Sequence, residues 1–135
     1  MLAVRINNLS YSMNEKKILN NINLQLEKEK IACILGPSGC GKTTLLKLIA
    51  GLSKVQEGEI FLNENLVSSS NIHLKTEKRK IGFLFQDYAL FPHQTVKQNL
   101  QFAIKDKSTS HSVEEIMDVI KLSDSLEKYP HELSG

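Results

Sequence analysis

No apolar run in the chain approaches the roughly 18 residues that a membrane-spanning helix needs, so none of it is expected to cross a bilayer. Its first residues, Met1-Leu-Ala-Val-Arg5, lack the charged start and long apolar core of a secretion signal, and a cytosolic protein is the expectation. An excess of charge is also missing: 17 basic and 15 acidic residues leave a net charge of +2, which gives no reason to invoke nucleic acid. Cysteine is sparse. Cys33 falls in an apolar run and Cys40 in a glycine-rich turn, a pair without metal-site spacing in a compartment expected to be reducing, and both read as structural. Internal repeats and low-complexity segments are absent. What remains is ordinary: 135 residues, 41% hydrophobic and 24% charged, describe one domain's worth of a protein able to bury a core.

One stretch is not ordinary. Gly36-Pro-Ser-Gly-Cys-Gly-Lys42-Thr43 satisfies G-x-x-x-x-G-K-[ST], between an apolar run (Ile31 to Leu35) and a helical pattern (Thr44 to Ala50). This is the pattern of a phosphate-binding loop. Such a loop turns backbone N–H groups of residues such as Ser38, Gly39, Cys40 and Gly41 inward as an anion nest and sets phosphate at a helix N-terminus. Lys42 is then placed to reach the β- and γ-phosphates, and the Thr43 hydroxyl to ligate Mg²⁺, with Thr44 next in the first helical turn.

Along the chain, Leu2, Val4 and Ile6 alternate, and after a turn at Met13-Asn-Glu-Lys16 the residues Ile22, Leu24 and Leu26 share a face, predicting two antiparallel strands. Ile31 to Leu35 is continuously apolar, as for a strand buried on both faces of a parallel sheet, and Ile81 to Phe85 reads as another. The helix after the phosphate loop carries Leu45, Leu46, Leu48 and Ile49, with Gly51 as its C-cap. Gly58 to Leu62 is a further strand, ending in a turn at Asn63-Glu-Asn65. The charged run Lys75 to Lys80 reads as a solvated loop and is given no role. Beyond residue 94 the pattern is helical: Thr95-Val-Lys-Gln98 and Ser112-Val-Glu-Glu115 fit the capping box, and Val113, Ile116, Met117 and Ile120 form an apolar stripe. Lys105 to His111 is a polar linker between the two helices.

Taken together, further segments resemble the ATP-binding subunits of ABC transporters, and the resemblance runs through essentially the whole chain. Tyr11 stands 25 positions before Gly36, where that family has an aromatic that stacks on adenine. Ile81-Gly-Phe-Leu-Phe-Gln86-Asp-Tyr-Ala-Leu-Phe-Pro-His93 resembles the family's glutamine loop, in which Gln86 would serve the Mg²⁺ and attacking-water site and face the transmembrane partner. Tyr129-Pro-His-Glu-Leu133-Ser134-Gly135 matches the opening of the family's L-S-G-G-Q signature. The resemblance implies an α/β fold: a P-loop NTPase core, here a partial ABC ATPase domain, with an N-terminal antiparallel β section (1–30), the phosphate-loop core and glutamine loop (31–94) and a helical subdomain up to the signature (95–135).

It also implies ATP and Mg²⁺ as cofactors and a head-to-tail pair with a second ATP-binding subunit, in which Ser134 and Gly135 would meet the nucleotide of the other copy. Permease subunits, and through them a solute-binding protein, would be the other partners, at the inner face of the cell membrane. Within the family the Gln86 and Leu133 segments look most like importers, with ferric-iron importers nearest and polyamine, sulfate and sugar importers close behind. The sequence stops inside the signature. The strand with the Mg²⁺-binding Asp and catalytic Glu that follows in the family is not among these residues, so the expectation is ATP binding without turnover by this chain alone. The alternative is a small P-loop kinase, with Asp87 holding Mg²⁺ and Arg79 or Lys80 acting on the acceptor phosphate.

Overall fold

The computed structural model describes residues 1–103, 113–119 and 123–133. The chain forms two units, Met1–Phe83 and Leu84–Gly135.

The first unit is built on two hairpins. Strands β1 (Leu2–Met13) and β2 (Lys16–Glu27) join through Asn14-Glu15, whose φ values of 48° and 63° are both positive, as a two-residue type I′ turn demands. The same chemistry recurs at Asn63-Glu64, φ 47° and 65°, between β3 (Glu57–Leu62) and β4 (Asn65–Ser68). β1 pairs with both β2 and β3, giving an antiparallel four-stranded sheet of order β2-β1-β3-β4. Ile6 sits opposite Leu24 on one side and Ile60 on the other, so alternate residues of three strands present one apolar face. Helix α1 (Lys42–Ala50) contributes Leu45 and Leu48 to the same core, which gathers Ile6, Leu9, Leu19, Val55, Ile60, Leu62 and Val67.

Two expected strands are not strands. Ile31–Leu35 and Ile81–Phe85 make no ladder, and the described sheet contains no parallel pair. Ile31 is fully exposed and Leu84 is 78% exposed. An apolar run can specify a strand buried on both faces only if strands lie along its edges to take up its N–H and C=O groups. Among the described residues none lies beside either segment. Cys33 is therefore exposed and free, not packed in a strand.

The charged run also departs from its reading at one residue. Thr76–Lys78 forms a 3₁₀ turn that carries Arg79 inward, where it is only 4% exposed. Its guanidinium donates to five oxygens: Leu74 O (2.8 Å), Leu48 O (3.2 Å), Ile49 O (2.8 Å), Val67 O (3.3 Å) and Ser68 Oγ (2.6 Å). Arg79 thus ties the carbonyl end of α1 to β4, placing a cation where the helix dipole favours one. Gly51, the left-handed C-cap of α1 at φ 80°, lies against this group, and a Cβ there would collide with the guanidinium. No oxygen of Arg79's shell is a carboxylate, and burial pushes its pKa down.

His73, bridged to Ser68 in the backbone, shares this basic surrounding. Desolvation first, then the charges of Arg79 and Lys54, hold its pKa below the ordinary 6.5, and its buried Nδ1 has no hydrogen-bond partner among the described residues. The native state therefore resists a proton that the unfolded chain accepts. Stability is expected to be intact above pH 6.5 and to fall as the pH drops below it. Urea midpoints at pH 7.5 and 5.5 test this: His73→Gln should shrink the acid loss, and an unchanged loss would exclude His73 as its source.

In the second unit, α2 (Val96–Ala103) starts with the expected capping box: Thr95 N–H donates to Gln98 Oε1 (2.9 Å) and Gln98 N–H to Thr95 Oγ1 (3.3 Å). The next two donors, Val96 and Lys97 N–H, bond Lys128 O and Leu126 O. Asn99 clamps the preceding turn, accepting from Phe91 N–H (2.9 Å) and donating to the carbonyls of Phe91, Gln94 and Thr95. Helix α3 (Val113–Val119) buries Met117 from the expected stripe, with Ile116 half-buried beside it. Ser112, Ile120 and the linker 105–111 lie outside the described residues.

Candidate nucleotide site

The phosphate loop is exposed from Gly36 to Cys40 and enters α1 through Gly41, the N-cap at φ 100°. Only glycine suits this residue, for two reasons. The backbone is left-handed, and a Cβ would stand 2.9 Å from Leu19 Cδ2 and 3.2 Å from Ile18 O. The loop is thus seated on β2. Leu45 N–H makes the first helical bond, to Gly41 O, and the N–H groups of Lys42, Thr43 and Thr44 ahead of it have no acceptor within the helix. Three donors at the positive end of a helix dipole suit an anion. The Lys42 ammonium folds over the loop and donates to Gly36 O and Pro37 O, both at 2.7 Å, with Cys40 Sγ 3.7 Å away. Those carbonyls hold it at the mouth of the nest.

Tyr11 lies close by through the sheet. It is paired with Leu19, the residue that Gly41 rests on, and is half-buried against the core. Beside it opens a cavity of about 280 Å³ lined by Ser10, Ser12, Glu15, Lys17, Gln56 and Glu57. The structure therefore brings Tyr11 and the loop Gly36–Thr44 into one unit. Gln86 belongs to the other unit, where it is exposed between Phe85 and Asp87, ahead of Tyr88 and Ala89 at positive φ. Ser134 and Gly135 lie outside the described residues.

The donor array fits nucleotide phosphates. A metal is less well served: Thr43 offers one exposed hydroxyl, and the described residues hold no group of three or more His, Cys, Asp or Glu side chains placed to bind an ion. Magnesium usually takes one or two carboxylates together with phosphates and water, so an ion here would rest chiefly on the nucleotide's own oxygens. The acceptor-phosphate role that the kinase alternative gave to Arg79 fails, because its guanidinium is already committed to five oxygens inside the core.

A phosphate loop opening a helix that packs on an antiparallel sheet has a counterpart among known proteins. The ABC transporter family model matches residues 19–135, and this chain belongs to that family. Its relatives include the Fe(3+) ions import ATP-binding protein FbpC 2 of Haemophilus influenzae, 36% identical over 96% of this chain and 38% of the relative. The spermidine/putrescine import protein PotA of Thermotoga maritima is 39% identical over 98% of this chain and 36% of its own length. The sulfate/thiosulfate import protein CysA of Synechocystis is 39% identical over 99% and 38%. The chain thus spans less than two-fifths of each of these relatives. Among solved structures, a dimeric ATP-binding cassette in a post-hydrolysis state with ADP and Pi superposes with a TM-score of 0.76 at 30% identity, covering 97% of this chain and 63% of that one. A nucleotide-free cassette from an ABC transporter, at 24% identity and TM-score 0.75, repeats the fold.

Proposed function

We propose that this chain is the nucleotide-binding portion of an ATP-binding subunit that powers an ABC importer. The observation that carries the reading is the pairing of an anion-ready helix terminus, Gly41 to Thr44 with Lys42 over it, with Tyr11 one strand away. ATP binds with its phosphates on the amides of Gly36–Thr44, among them Ser38, Gly39 and Cys40, and its adenine on Tyr11. Thr43 and Gln86 face Mg²⁺, with Gln86 also serving the attacking water, and Ser134 and Gly135 face the nucleotide of a second copy in a head-to-tail dimer. The division at 1–30, 31–94 and 95–135 follows from the same reading. Permease subunits at the inner face of the membrane, supplied by a solute-binding protein, are the coupled partners. The relatives' names span iron, polyamines and sulfate, and ferric iron, favoured by the resemblance of the Gln86 segment, is the cargo to test first.

Mg-ATP titration of the purified chain tests the binding half. Tyr11→Ala should weaken every purine nucleotide by about 1 kcal/mol, roughly fivefold, while Tyr11→Phe should be nearly silent because stacking needs only the ring. Equal affinity for Tyr11→Ala and parent would remove the platform. A phosphate-release assay tests the other half: the described residues hold no group of three or more His, Cys, Asp or Glu side chains placed to bind an ion, and binding without turnover is expected. Turnover abolished by Asp87→Asn would reopen the kinase-like reading.

A further inference from the structure

We propose that Gln56 is a positioning residue for the nucleobase platform, holding Tyr11 in place by acting as one more rung of the sheet; this rests on the nucleotide reading above. β1 and β3 stop pairing at Ser10 opposite Glu57, one residue short of Tyr11. On its other edge, β1 changes register on both sides of Tyr11, between Leu9 and Tyr11 and again between Tyr11 and Ser12. A platform residue at a double irregularity, with its ladder ended on one side, would be poorly fixed by backbone alone.

Gln56 makes up the missing rung with its side chain. Its Oε1 accepts from Ser12 N–H at 2.7 Å, and its Nε2 donates to Ser12 O at 3.0 Å, across 44 residues of sequence. The carboxamide offers the same donor and acceptor pair as a peptide group, so it continues the β1–β3 ladder where the β3 backbone no longer reaches. Gln56 also lines the cavity beside Tyr11. Its backbone lies next to Val55, which is buried in the core under α1. Tyr11 is thereby held from two directions: by Leu19, on which the phosphate loop rests, and by Gln56 through Ser12. The distance between base platform and phosphate nest is set by these two contacts.

Because the base touches the platform and the phosphates do not, the inference separates two probes. Affinities for ATP and for inorganic tripolyphosphate are measured on the parent chain, Gln56→Ala, Gln56→Glu, Tyr11→Ala and the double variant Gln56→Ala/Tyr11→Ala. Gln56→Ala should lose about two- to fivefold for ATP, no more than removal of the Tyr11 ring itself, and keep its tripolyphosphate affinity, which also serves as the folding control. Gln56→Glu keeps the acceptor for Ser12 N–H and should recover part of the loss. In the Tyr11→Ala background the Gln56→Ala effect should vanish. Unchanged ATP affinity in Gln56→Ala, or equal losses for both probes, overturns the positioning role while leaving the nucleotide reading in place. A parent chain that binds neither probe overturns both.

Discussion

Arg79→Met is expected to destabilise the first unit by about 3 to 5 kcal/mol, a large share of what a domain of this size has. Methionine fills much the same volume, so the effect isolates the five donated bonds. Hydrogen bonds from a charged group contribute about 1.5 to 3 kcal/mol each, and they do not add, because the acceptors share one donor group. What dominates is the state left behind: Leu48 O and Ile49 O at the end of α1, Leu74 O, Val67 O and Ser68 Oγ would all lose a partner together, in a region where Leu48 and Ser68 are fully buried. Arg79→Lys should recover only part, since an ammonium cannot span acceptors on three separate segments as the planar fork does. The measurement is the urea midpoint followed by circular dichroism. Lys78→Met, one residue away and exposed, serves as the reference and should change little. Equal midpoints for the two methionine variants would show that the Arg79 shell contributes nothing net.

Lys42→Ala should weaken Mg-ATP binding by about 1.5 to 3 kcal/mol, roughly tenfold to a hundredfold or more. In the structure the ammonium holds two loop carbonyls at 2.7 Å, so binding exchanges two charge–dipole contacts for contacts with phosphate oxygens that carry full charge. The gain on exchange is what alanine removes. Adenosine, which lacks phosphates, should bind both forms alike, and this contrast separates loss of the charge from collapse of the loop. Calorimetric titration giving the same ATP affinity for both chains would refute the assignment of Lys42.

The features legible in the sequence are those that local chemistry determines. Asn14-Glu15 and Asn63-Glu64 lie where turns were expected, since asparagine tolerates a left-handed backbone better than most residues. Thr95 and Gln98 cap α2 because their side chains need only reach each other's N–H. The phosphate loop is read from glycine and lysine spacing alone. Arg79, Gln56 and Asn99 escaped because each acts through distant or main-chain acceptors that composition does not reveal; a single arginine among lysines looks solvated until α1 supplies its carbonyls. Ile31–Leu35 and Ile81–Phe85 failed for the opposite reason. Their apolar content was read correctly, but a ladder is a property of two strands, and no run of residues can carry it by itself.

Helix α1 is a nine-residue element, and isolated helices shorter than about 12 residues are marginal in water. Its order is borrowed, at one end from Leu19 beneath Gly41 and at the other from Arg79. The amides that would receive phosphate are therefore available only while the hairpins beneath them are folded, and occupancy and folding become one linked equilibrium. A nucleotide at a hundredfold excess over its dissociation constant adds about 2.7 kcal/mol to the folded side, comparable with what the loss of Arg79 removes. In hydrogen-exchange terms, α1 and the sheet are expected to open together, so a core substitution far from the loop registers as weaker nucleotide binding once it leaves an appreciable fraction of the chain unfolded, without touching a single contact to the ligand.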